Sequence, residues 1–141
     1  MSEAPTTTVD LEWEGGLRFA ATDAYGHSTT IEAPEADGGD FDGFKPGEML
    51  LTSLAGCSGI DVVGILRKQR QDVTAIEIKV TGKQEPDPPW TWTGVHVEYV
   101  LHGRDLDAHR VERAIHLSET KYCSVGATVA GRCKVTSEFR I

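Results

Sequence analysis

Positive charge is what this sequence has least of. Lys and Arg number 14 against 22 Asp and Glu, a net charge of −8 at pH 7. Neutralising a phosphate backbone takes clustered Lys and Arg, so the deficit argues against nucleic acid as a partner. The one basic cluster, Arg67, Lys68 and Arg70, falls where a helix is expected to end, and the negative end of a helix dipole accounts for it. Cysteine is scarcer still. Three thiols in 141 residues are too few, and odd in number, for a disulfide scaffold. None belongs to a C-x-x-C pair, which leaves a structural zinc knot without a basis. Residues 1–8 carry neither a cationic stretch nor an apolar one, so they read as a flexible tail and not as a secretory signal. Together these absences point to the cytoplasm, where thiols rest reduced and disulfides are catalytic or sensory. No glycine-rich phosphate loop follows a strand, and Ser53-Leu54-Ala55-Gly56 is not a nucleophile elbow.

What is present fits one α+β domain over residues 9–141. Val9 to Ala21 reads as strand broken by a turn or bulge at Gly15-Gly16, with Trp13, Leu17 and Phe19 on one apolar face. Ser28 to Ala33 is a second short strand, and the acidic, glycine-rich stretch from Pro34 to Phe44 is a solvated loop. Pro46 suits a first helical turn. The chain that follows, Met49 to Leu66, is apolar or small on nearly every face, which predicts a buried helix. A membrane span is the rival reading. Asp61 and the glycines at 56, 59 and 64 disfavour it and suggest instead that another backbone packs closely. Ile76/Ile78/Val80 and Val95/Val97/Tyr99/Leu101 alternate as two strands, joined by a proline-rich loop carrying Trp90 and Trp92. Asp105 or Asp107 caps a helix through Val111, Ala114, Ile115 and Ser118. A second helix is expected from about Lys121 to Ala130, and Cys133 to Phe139 closes the chain as a strand. A domain this small can hardly sheathe a wholly apolar helix, so a dimer packing two such helices together is expected.

Three positions invite chemistry. Cys57 lies within the apolar helix, where a thiol can also pack as a small hydrophobe. Cys123 lies near the start of the later helix, two residues after Lys121, and both features would lower a thiol pKa. Cys133 reads as an inward-facing core residue. Glu48, Asp61, Arg18 and Lys121 are the polar groups available to a thiol site, and Asp61 shares a helical face with Cys57. Such a carboxylate would raise the thiol pKa unless a cation offset it. The five histidines are scattered; only His109 and His116 would share a helical face, and no metal site is expected from them.

The segment Lys45-Pro46-Gly47-Glu48-Met49-Leu50-Leu51-Thr52-Ser53-Leu54-Ala55-Gly56-Cys57-Ser58 resembles the central-helix motif of the OsmC-like family, which includes the organic hydroperoxide resistance proteins. Glu119-Thr120-Lys121-Tyr122-Cys123-Ser124-Val125 resembles its second cysteine motif. The order of elements matches as well, from about Val9 onward. The resemblance implies antiparallel sheets wrapped around a long central helix in an intertwined homodimer. It implies a thiol peroxidase acting on organic hydroperoxides, with Cys57 attacking the peroxide, Cys123 resolving it as a Cys57–Cys123 disulfide, and an external dithiol as reductant. Arg18 and Glu48 are the candidates for the polar pair that supports the Cys57 thiolate. No metal or organic cofactor is implied. The likeness is to a divergent branch: Gly47 stands at the classical glutamate position with Glu48 one residue later, Leu17 separates Arg18 from the Gly-Gly pair, and Ser124 replaces the usual proline. Two alternatives on the same fold are a non-catalytic binding module for a small apolar ligand and a redox sensor.

Overall fold

The computed structural model describes residues 2–141, which divide into two compact units, Met1–Leu50 and Leu51–Ile141. In the first unit, β1 (Asp10–Trp13), β2 (Arg18–Thr22) and β3 (Ser28–Glu32) form an antiparallel sheet in the order β1-β2-β3. Gly15 and Gly16 make the β1–β2 turn at φ 101° and 54°, a region in which side chains are strained. Leu11 pairs with Ala21 and Trp13 with Phe19, so Leu11, Trp13 and Phe19 share one face of the sheet. The expected apolar face is therefore present, but Leu11, Trp13 and Phe19 are all exposed.

Helix α1 (Pro46–Lys68) starts in the first unit and runs into the second. It is long and apolar enough to cross a membrane by length and composition. It is nonetheless a core element on one stripe: Leu54, Ser58, Gly59, Val62 and Leu66 are buried. Within one chain burial is limited to that stripe: Ile60 is 76% exposed and Val63 is exposed too. Close packing holds at one glycine of the three. A Cβ at Gly59 would stand 2.7 Å from Ile78 Cδ1, whereas Gly56 and Gly64 face open space.

The second sheet consists of β4 (Asp72–Gln84), β5 (Trp92–Arg104) and β6 (Lys134–Arg140), in that order. β4 and β5 are antiparallel, but β6 runs parallel to β5, so this sheet is mixed and not antiparallel throughout. A parallel partner needs a long crossover. Here α2 (Ala108–Leu117), one wide π-helical turn (Ser118–Tyr122) and α3 (Ser124–Ala130) supply it. Val95, Val97, Tyr99 and Leu101 on β5 are buried against Leu54, Val62 and Leu66 of α1 and Val111, Ala114 and Ile115 of α2. Burying a side chain of this kind contributes about 1.5–3 kcal/mol, and these positions form the core of the unit. Trp92 packs on Gly82, where a Cβ would come within 2.3 Å of its ring. Asp107 is the N-cap of α2, its side chain accepting from the His109 N–H.

Candidate functional site

The expected helix from Lys121 to Ala130 is replaced by a break at Cys123. The π-helical turn ends there, closed by a bond of 2.8 Å from the Cys123 N–H to Ser118 O. Cys123 is extended (φ −78°, ψ 99°) and caps α3, its Sγ accepting from the Gly126 N–H at 3.2 Å. A Cβ at position 126 would lie 3.1 Å from that sulfur, so a larger residue there would press the thiol aside by a few tenths of an ångström. The break turns the thiol inward, and Cys123 is only 4% exposed.

Cys57 reaches the same place from α1 and is half-buried. One turn further along α1 is Asp61. The two sulfurs and an Asp61 carboxylate oxygen all lie within 4.8 Å of one another. Cys57 and Cys123, sixty-six residues apart in sequence, are thus neighbours, and both are free thiols.

Sequence reasoning expected the helix start and Lys121 to lower the Cys123 pKa. The structure reverses this. Burial and a hydrogen bond with Cys57 push the Cys123 thiol up to about 11, against a weaker opposing effect of the Gly126 N–H. Lys121 does not offset it, its Nζ lying over the Tyr122 ring at 5.3 Å. The nearby charges of Cys57 and Asp61 act in the same upward direction, as expected of a carboxylate on this face. At neutral pH Cys123 therefore keeps its proton.

A chain of hydroxyls backs the thiols. Ser118 Oγ is 2.9 Å from Asp61 Oδ2 and 3.1 Å from Ser58 Oγ, and Ser58 is hydrogen-bonded to the Tyr99 hydroxyl. Ser118 and Ser58 are buried polar groups inside an apolar core, satisfied by one another. A hydroxyl carries one proton, and Ser118 has that one to share between the Asp61 carboxylate and Ser58. Burial raises the Tyr99 pKa, which keeps the phenol neutral. Sequence reasoning missed Ser58, Tyr99 and Ser118 as a polar set, because Tyr99 and Ser118 occupy positions whose periodicity marks them as core. The signal available was chemical: a serine in the apolar stripe of each of two helices.

A cavity of about 140 Å³ opens beside this site, walled by apolar Leu54, Val97, Ala130 and Val135 together with Cys123, Tyr99, Ser58 and Glu119.

Two of the remaining candidates, Arg18 and Glu48, belong to the first unit. Arg18 lies on β2 within the first unit, its Nη1 2.9 Å from Glu32 Oε2 and its Nε 3.2 Å from Glu14 Oε1. Those hydrogen bonds, Glu32 first, raise the pKa of the guanidinium further. Glu48 lies in the first turn of α1, where a carboxylate suits the positive end of the helix dipole. Cys133 is buried just before β6 and donates its S–H to Trp92 O at 2.9 Å, the core role expected of it. Trp90 is exposed, while Trp92 packs against the core. His109 is exposed beside Glu112.

The chain belongs to the OsmC-like protein family, whose model matches residues 37–138. It is 35% identical over 131 residues to Protein YhfA of Escherichia coli, covering 93% of this chain and 95% of that one. A crystal structure of a hypothetical protein from Aquifex aeolicus shares 32% identity and superposes with a TM-score of 0.82, covering 97% of this chain and 98% of the other. The organic hydroperoxide resistance protein OhrB of Bacillus subtilis is 20% identical with a TM-score of 0.66, over 96% and 98% of the two chains, and shows the shared α+β fold.

Proposed function

We propose that this protein is a thiol-dependent peroxidase that reduces organic hydroperoxides. The observation that carries the reading is the hydrogen-bonded pair of Cys57 and Cys123, one half-buried and one buried with its proton held. The ionised Cys57 sulfur attacks the terminal peroxide oxygen and breaks the O–O bond. Cys57 becomes a sulfenic acid, and the alkoxide leaves as the alcohol after taking a proton. The Cys123 thiol then attacks the sulfenic sulfur, forming the Cys57–Cys123 disulfide and releasing water. An external dithiol reduces that disulfide and is itself oxidised. Holding Cys123 protonated during the first step leaves a single attacking sulfur and a reserve thiol for the second. Arg18 and Glu48 enter from the family resemblance as the groups that support the Cys57 thiolate. The apolar wall of the cavity beside Cys123, formed by Leu54, Val97, Ala130 and Val135, favours an alkyl or aryl hydroperoxide over hydrogen peroxide.

The working form in this reading is a cytoplasmic homodimer without a cofactor. Ile60, Val63, Gly56 and Gly64 form an exposed apolar surface on α1, and Leu11, Trp13 and Phe19 form another on the first sheet. Exposed apolar patches of this kind mark interfaces, and a second copy of the chain is the partner that supplies matching ones.

The test is consumption of cumene or tert-butyl hydroperoxide with a dithiol reductant. Wild type turns over, Cys57→Ser does not, and Cys123→Ser turns over weakly at the expense of free dithiol. A folded, reduced wild type no faster than Cys57→Ser would overturn the enzyme reading. In that case the cavity favours the small-ligand module, which predicts saturable binding that persists in the double cysteine variant.

A further inference from the structure

We propose that the reduced protein binds one thiophilic divalent cation, of the zinc class, through Cys57, Cys123 and Asp61. The site deepens the peroxidase reading by giving the same two thiols a regulated state, but its existence does not depend on turnover.

Geometry comes first. The three donor atoms lie within 4.8 Å of one another, two of them one turn apart on α1 and the third at the α3 cap. Tetrahedral zinc holds sulfur at about 2.3 Å and carboxylate oxygen at about 2.0–2.2 Å, which sets the donors roughly 3.5–3.8 Å apart. Side-chain adjustment of about an ångström closes that difference. Two sulfurs and one oxygen are a donor set suited to zinc, cobalt or cadmium and unsuited to magnesium or calcium.

The surroundings are those of a metal site in two further respects. Ser118 holds the Asp61 carboxylate by a hydrogen bond of 2.9 Å, and the Gly126 N–H points at the Cys123 sulfur. Outer contacts of this kind orient ligands and tune their basicity. Absence of a C-x-x-C pair excludes a knot made within one loop; this site is assembled by two helices.

Binding displaces the thiol protons, two per cation from the fully protonated pair. The bound dithiol is withdrawn from peroxide chemistry until the cation leaves. Once the cation has left and the thiols have taken back their two protons, a hydroperoxide oxidises them to the disulfide and yields alcohol and water.

The experiment is a titration of the reduced, chelator-stripped full chain with Co²⁺, followed by displacement with Zn²⁺. One equivalent per chain should give a thiolate-to-cobalt charge-transfer band, abolished in Cys57→Ser and Cys123→Ser and kept in Cys133→Ser. Asp61→Asn, which retains both thiols and a similar shape, should weaken binding at least about tenfold, and Ser118→Ala about tenfold. No charge-transfer band in wild type overturns the proposal. So does equal zinc affinity in all of the site variants, which would place the cation at His96, Glu98 and Glu138 on the β5–β6 face instead. Peroxide turnover is measured separately in the presence of chelator, so a failure of either reading leaves the other standing.

Discussion

Cys123 is hydrogen-bonded to Cys57, and burial first, then this contact, raises the pKa of its thiol to about 11. The two thiols are therefore unequal before any oxidant arrives. Half-buried Cys57 is the reachable sulfur, while Cys123 is closed in by Gly126, Leu54 and its own cap.

That inequality predicts the order of alkylation. At pH 7, substoichiometric iodoacetamide should label Cys57 before Cys123 or Cys133. Peptide mapping by mass spectrometry checks it, and labelling led by Cys123 would contradict the assignment of roles.

Stability should respond to alkaline pH with a definite sign. The unfolded Cys123 thiol ionises near 9.0, and the folded one near 11. Below the unfolded value the two states bind the proton alike. Between the two values the unfolded state loses its proton while the native state keeps it, so stability falls as pH rises, by up to about 1.4 kcal/mol per unit. The urea midpoint of the reduced protein, measured from pH 8 to 11, should decline more steeply in wild type than in Cys123→Ser.

Ser118→Ala removes the donor to Asp61 and one member of the buried hydroxyl chain. Leaving a buried polar group without its partner costs about 1–3 kcal/mol. The variant should melt several degrees below wild type in calorimetry, with the far-ultraviolet dichroism of the folded state unchanged.

Gly82 and Gly56 should behave oppositely. Gly82→Ala places a Cβ 2.3 Å from the Trp92 ring and should destabilise by roughly 1–3 kcal/mol through overpacking. At Gly56 nothing within the chain stands in the way, and a helical alanine is favoured by up to about 1 kcal/mol. If α1 packs against α1 of a second copy, that gain disappears and the dimer weakens. Sedimentation velocity decides this, with Ile60→Glu as the variant expected to be monomeric.

Much of the fold was legible because it rests on local periodicity. The alternation of Val95, Val97, Tyr99 and Leu101 marked the buried face of β5, Pro46 marked the start of α1, and of the two cap candidates, Asp105 and Asp107, Asp107 caps α2. The parallel placement of β6 was not legible, since strand pairing depends on how the α2–α3 crossover packs and not on the composition of β6. Nor was the polar chain from Tyr99 to Asp61, whose members lie up to about sixty residues apart and look individually like core residues or isolated polar ones.

By itself the sequence determined the family, the order of elements and the two cysteine motifs, because motif spacing and side-chain period are properties of neighbouring residues. Only the tertiary structure decided that Cys123 keeps its proton. That outcome comes from desolvation and from charges brought together through space, and these overrode the helix-start and lysine effects that the local sequence around Cys123 suggested. It also decided which faces of α1 are buried, since an apolar helix carries no mark of which stripe its own sheet will cover.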